Sequence, residues 1–173
     1  MNRTAPSASQ VTRASATNGK ILAIDYGRAR IGLAIADAQQ GVAQPLVTLE
    51  RINRNEDMRR LRELARDHSV KLVVVGLPLR LDGTRGEMAE EAERFAQRVR
   101  KQIGVPVEMA DERLTSWEAE QQLEEQFGRK SKLSDCASKK KPVEKFSVDS
   151  MAAAIILRDY LERRNATSEG AAE

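Results

Sequence analysis

Apolar residues recur along this chain with two different periods. Ile21, Leu22, Ala23 and Ile24 form a short continuous run that stops at Asp25, the pattern of a strand covered on both faces. Tyr26-Gly27-Arg28-Ala29 supplies a turn, and Arg30 to Asp37 alternates into a second strand with Ile31, Leu33 and Ile35 on one face. A third strand is predicted from Leu46 to Ile52, after Pro45. Met58, Leu61, Leu64 and Ala65 then return at helical spacing, and Leu72 to Val75 is again a continuous buried-strand run. Met88, Ala92, Phe95, Ala96, Val99 and Ile103 make the clearest amphipathic helix. A fifth strand is expected from Val105 to Met109, with Gly104 and Pro106 at its start. Thr115 and Glu118 form a capping box for a helix through Trp117, Leu123 and Phe127, and Asp149 to Arg164 is the last helix. The order β-β-β-α-β-α-β-α-α predicts an α/β fold: a mixed five-stranded sheet flanked by helices, with three antiparallel strands followed by parallel βα units.

Composition narrows the class. The 173 residues suit one domain, expected over residues 20–164, and 40% hydrophobic residues can fill its core. Residues 1–19 carry no acid and are rich in Ala, Ser and Thr, so a disordered tail is expected. An organelle transit peptide shares that composition, but so do plain flexible tails. Residues 165–173 read as a second frayed end. No apolar run approaches the roughly 20 residues that span a bilayer. One cysteine excludes an internal disulfide framework or a Cys-rich zinc site, and six aromatics are too few for a platform that stacks single strands. These features point to a soluble, cytoplasmic protein, a monomer or a homodimer.

Three acidic positions stand out because strong structural signals end or begin on them. Asp25 closes the first strand, Asp111 and Glu112 close the fifth, and Asp149 opens the last helix before Met151-Ala152-Ala153-Ala154. Each has an ordinary explanation: a turn residue, a solvated charge cluster, a helix N-cap. If the fold brings them together, they make a hard oxygen site for Mg²⁺ or Mn²⁺, since crowded carboxylates repel and a cation keeps them ionised.

Other features are less specific. Leu77 to Gly83 follows a buried strand and precedes a helix, where an open α/β sheet presents its ligand crevice. Between Gly128 and Ser147, seven basic residues face two acids, a surplus of five that exceeds the whole-chain charge of +3. Such a flexible basic loop before Asp149 is placed to grip phosphates, although many charge runs are only solvated. Cys136, in the same segment, is expected to be an exposed thiol. His68 is the lone histidine and suits a helix C-terminus better than catalysis.

Four blocks then carry a resemblance. Ile24-Asp25-Tyr26-Gly27-Arg28-Ala29-Arg30-Ile31-Gly32 resembles the opening motif of the YqgF (RuvX-type) family, pre-16S rRNA nucleases related to Holliday-junction resolvases. Val75-Gly76-Leu77-Pro78 with Asp82-Gly83, Asp111 to Ser116, and Val148 to Ala153 are similar to the second, third and fourth blocks. The resemblance runs from about Lys20 to Leu161 and implies an RNase H-like fold. It also implies a phosphodiesterase dependent on Mg²⁺ or Mn²⁺, with Asp25, Glu112 and Asp149 as catalytic and metal-binding acids. Strand period alone leaves Asp111 and Glu112 open as the inward acid; the family pattern favours Glu112. Arg28, Arg30, Arg113, Lys139, Lys140, Lys141 and Lys145 would hold nucleic-acid phosphates. The substrate class implied is a 16S rRNA precursor, with branched DNA as the alternative. A non-catalytic ribosome-assembly module on the same fold is a further one. An actin-type or sugar-kinase ATP-binding protein shares a similar first hairpin, but needs two such domains, and this chain lacks a P-loop.

Overall fold

A computed structural model of the protein describes residues 19–80, 82–112 and 147–169. Five strands, β1 (Lys20–Tyr26), β2 (Arg30–Asp37), β3 (Gln44–Glu50), β4 (Val70–Leu77) and β5 (Val107–Asp111), form one sheet ordered β3-β2-β1-β4-β5. The hairpins β1–β2 and β2–β3 are antiparallel, while β4 lies parallel to β1 and β5 parallel to β4. Helices α1 (Arg54–Asp67), α2 (Glu87–Ile103) and α3 (Val148–Glu169) complete the described structure. This is the expected mixed sheet, and the order agrees through β5.

Both faces of the sheet are covered, which explains the continuous apolar runs in β1 and β4. On one face Ile21, Ala23, Ala34, Leu72 and Val74 pack beneath Ala153, Ala154, Ile156 and Leu157 of α3. On the other, Leu22, Ile24, Ile31, Leu33, Val73 and Val75 meet Met58 and Leu61 of α1 and Phe95 and Val99 of α2. Successive residues of a strand point to opposite faces, so each strand feeds both layers. Fully burying a Leu- or Phe-sized side chain contributes about 1.5–3 kcal/mol. Phe95→Ala would open a cavity under α2 at a cost of about 3–5 kcal/mol.

Local chemistry fixes the element ends. Asn53 caps α1, its side-chain oxygen accepting from the N–H groups of Asn55 and Glu56 at 3.1 and 2.9 Å. His68 closes that helix, its backbone N–H donating to Leu64 O at 3.0 Å. Gly104 ends α2 in the left-handed region, φ 77°.

Three elements differ from expectation in their bounds. β3 runs from Gln44 to Glu50, stopping short of Ile52 and taking in Pro45, which is tolerated because β3 is an edge strand and one side of its ladder needs no donor. β5 runs from Val107 to Asp111, two residues later than expected, because the Gly104 cap and Pro106 occupy its approach. α3 continues to Glu169, so the end expected to fray from residue 165 is helical for another turn. The capping-box helix from Thr115, the basic stretch with Cys136, Leu81 and the N-terminal tail through residue 18 lie outside the described residues. Among the described residues, no helix is long and apolar enough to cross a membrane.

Candidate active site

The two-residue period of β1 decides which of its side chains reach α3. Ile21 and Ala23 pack beneath that helix, so Asp25 projects to the same side while Ile24 and Tyr26 face α1 and α2. The partner of Asp25 across the β1–β2 ladder is Gly32. A Cβ built on Gly32 would sit 1.9 Å from the backbone oxygen of Asp149 and 3.1 Å from its Cβ. The bare glycine therefore lets the first turn of α3 rest on β2 beside Asp25.

Asp149 is free of capping duty. Ser147 precedes the helix and accepts from the Ser150 N–H at 3.3 Å, while its carbonyl accepts from Met151 N–H at 3.1 Å. The Ser147 hydroxyl also contacts Thr48 of β3, pinning the helix start to the sheet edge. Asp149 sits one position inside, in the first turn, where a negative charge is favoured by the helix dipole.

Glu112 arrives from the far side of the sheet. Ala110 packs in the α3 layer, and a Cβ on Gly76 of β4 would lie 2.0 Å from Glu112 Oε1 and 2.8 Å from Ile156 Cδ1. The Glu112 carboxyl thus lies over β4 under α3. Of the Asp111–Glu112 pair, it is Glu112 that turns to the side shared with Asp25.

Electrostatics ties the three together. Burial, and then the charge of Asp149, push the Asp25 carboxyl up to about 6. Burial, then Asp25, then Asp111, push Glu112 up to about 7. Asp25 is the shared member: the charge of Asp149 raises it, and its own charge raises Glu112. The Asp149 carboxylate is also held by a cation: Arg30 Nε lies 3.0 Å from its Oδ2, with the arginine 60% and the aspartate 25% exposed. Among the described residues, no three His, Cys, Asp or Glu side chains form a ready-made metal cage. The donors nevertheless fit a hard divalent cation, since carboxyl oxygens whose charges oppose one another are stabilised by one.

The cationic residues expected to hold phosphates divide into three groups. Arg30 is at the site. Arg28, on the β1–β2 turn, pairs with Glu87 at 3.0 Å and Glu91 at 2.8 Å on α2. Arg113, Lys139, Lys140, Lys141 and Lys145 lie outside the described residues. Sequence reasoning missed Gly32 and Gly76 as spacers and Ser147 as the cap. Glycine inside a strand pattern was the available signal for the first two.

Comparison with known proteins agrees with this architecture. The family described as RuvX, Holliday junction resolvase, matches residues 19–163. A relative from Anaeromyxobacter dehalogenans, provisionally named a pre-16S rRNA nuclease, is 43% identical over 145 residues, covering 84% of this chain and 98% of its own. A relative of the same name from Koribacter versatilis is 41% identical over 155 residues, covering 90% and 94%. Among solved structures, Thermus thermophilus RuvC shares the fold with a TM-score of 0.54 at 16% identity, over 86% of this chain and 97% of that one. The same resolvase in complex with a Holliday junction gives 0.53, over 87% and 98%. With its RNase H-like sheet, its motif blocks and a match over most of its length, the chain belongs to the RuvX family of Holliday junction resolvases.

Proposed function

We propose that this protein is a divalent-metal-dependent endonuclease of the cytoplasm that hydrolyses phosphodiester bonds in structured nucleic acid, with the 16S rRNA precursor as its substrate. The observation that carries the proposal is that three acids come to the α3 side of the sheet: Asp149 rests on Gly32, the ladder partner of Asp25, and Glu112 lies over Gly76. Two of the three are raised by burial and mutual repulsion. Carboxyls raised together by burial and by one another suit a site that takes a cation.

Asp25, Glu112 and Asp149 would hold Mg²⁺ or Mn²⁺ through carboxylate oxygens, and the ion would supply a more acidic water and positive charge to offset the charge that develops in the reaction. Arg30 supports the site from its rim. Its exposed guanidinium, paired with Asp149, would hold a substrate phosphate, and Asp149 would then be open to the cation. Arg28, Arg113, Lys139, Lys140, Lys141 and Lys145 would hold further backbone phosphates. Such contacts position the substrate without reading its sequence. Branched DNA is the second reading, favoured by the description of the family that matches the chain.

Parallel cleavage of end-labelled precursor 16S rRNA and a four-way DNA junction, with Mg²⁺ or Mn²⁺ and with chelator, tests this. The expected result is metal-dependent cutting of the rRNA precursor. Asp25→Asn should lower the rate by at least about 100-fold while binding is kept. Preferred cutting of the junction would favour the second reading. Binding with no cleavage of either substrate would show a non-catalytic module, and full activity in pure Asp25→Asn would refute the assignment of the site.

A further inference from the structure

The reverse face of the sheet, directly behind Asp25, carries a polar cluster that no step above uses. Arg51 follows β3, and its backbone N–H donates to Ala29 O at 3.0 Å. Its side chain crosses under the β1–β2 turn. Nη1 donates to the Tyr26 hydroxyl at 2.9 Å, to Gly27 O at 3.2 Å and to Arg28 O at 3.4 Å. Nε donates to Asp57 Oδ2 at 3.1 Å, and the guanidinium carbon lies 4.9 Å from the centre of the Tyr26 ring. Asp57 is 3% exposed and accepts from the Ile52 N–H with its other oxygen, so its direction is fixed. The turn closes on itself through Gly27 N–H to Arg30 O at 2.9 Å, and a Cβ on Gly27 would meet that oxygen at 2.6 Å.

We infer that Arg51 is a positioning residue for the nuclease site: held by buried Asp57, it clasps the Tyr26 hydroxyl and the Gly27 and Arg28 carbonyls and so fixes Asp25 on one side of the turn and Arg30 on the other. This rests on the function proposed above. Tyr26 and Asp25 are neighbours on opposite faces of one strand, so a constraint on the first limits rotation of the second. A planar guanidinium can bond a hydroxyl, two carbonyls and a carboxylate at once; a lysine ammonium on its flexible stem cannot. The clasp touches no substrate. Its effect is on geometry at the reacting centre, where displacements near 1 Å cost about 100-fold.

Deleting Arg51 outright would strand a buried carboxylate and risk unfolding, so Arg51→Lys, which keeps a charge beside Asp57, is the primary variant and Tyr26→Phe the second. Steady-state cleavage, Mn²⁺ titration by calorimetry without nucleic acid, and thermal melting are measured on both variants and on the unchanged protein. Arg51→Lys should lower kcat by about 10- to 100-fold with KM for nucleic acid unchanged. Mn²⁺ should bind it several-fold more weakly, and Tyr26→Phe should show a smaller shift in the same direction. Unchanged kcat and Mn²⁺ affinity in a folded Arg51→Lys protein would overturn the inference, as would losses that vanish on cooling in step with its melting curve. If the unchanged protein neither cuts nor binds Mn²⁺, the proposed function fails, and with it the role it gives Arg51.

Discussion

Asp25 and Glu112 hold protons more tightly folded than unfolded, and the sign of the consequence is fixed. Their ordinary values are 3.8 and 4.5, against about 6 and about 7 in the fold. Between roughly pH 4 and pH 7 the folded state therefore carries the extra protons, and the stability of the cation-free protein falls as pH rises through that window, then levels off. Thermal melts without divalent cation should show this fall, by a few kcal/mol, and the Asp25→Asn/Glu112→Gln double variant should flatten it; an unchanged slope would contradict the account. Mn²⁺ acts in the opposite sense and should bind more weakly below about pH 6, where protons compete for the same oxygens. At Asp149 the competitor is Arg30. Exposed ion pairs are worth about 0–1 kcal/mol, so Arg30→Gln should tighten Mn²⁺ binding only about two- to fivefold, while weakening affinity for nucleic acid. Asp25 was legible in the sequence because an apolar run ended on it. Strand period could not choose Glu112 over Asp111, because that decision needs the end of β5 to within one residue; only the family resemblance favoured Glu112.

At the level of elements, two glycines control how close α3 and the acids come to the sheet, and they should respond differently to the same methyl group. The added Cβ in Gly32→Ala would collide with backbone atoms of Asp149, so α3 itself must shift. Overpacking of this kind costs about 1–3 kcal/mol or more, and activity should fall with stability. In Gly76→Ala the obstacles are ends of side chains, Glu112 Oε1 and Ile156 Cδ1. The fold should hold with a loss near 1 kcal/mol, while the displaced Glu112 takes most of the activity with it. Melting temperature and kcat measured together separate the cases; equal melting-point losses would show that Gly76 is no spacer for Glu112. The strands were legible because runs such as Leu72–Val75 admit no amphipathic alternative. The entry of Pro45 into β3 was not, since a proline reads as a strand boundary until the strand is known to be an edge. The final turn of α3 was hidden by the polar sequence from Asn165 to Glu169, which offers no apolar period to read.

Across the whole molecule, the sheet separates two tasks. One face, covered by α1 and α2, holds Phe95, Met58 and the Arg51 clasp; the other, beneath α3, carries a second apolar core and the acids. The basic segment before α3 was legible only as composition, and its contribution belongs to solution measurements. Replacing Lys139, Lys140 and Lys141 with alanine should weaken binding to all sequences alike and reduce the slope of log affinity against log salt by about two to three; an unchanged slope would place the triplet off the nucleic acid. Asp25, Glu112 and Asp149 are proposed to share bound cation, and anomalous scattering from crystals grown with Mn²⁺ is the direct test: manganese is expected between these three carboxylates, with Arg30 withdrawn from Asp149. Manganese bound only elsewhere, with the Arg30–Asp149 pair intact, would contradict the proposal.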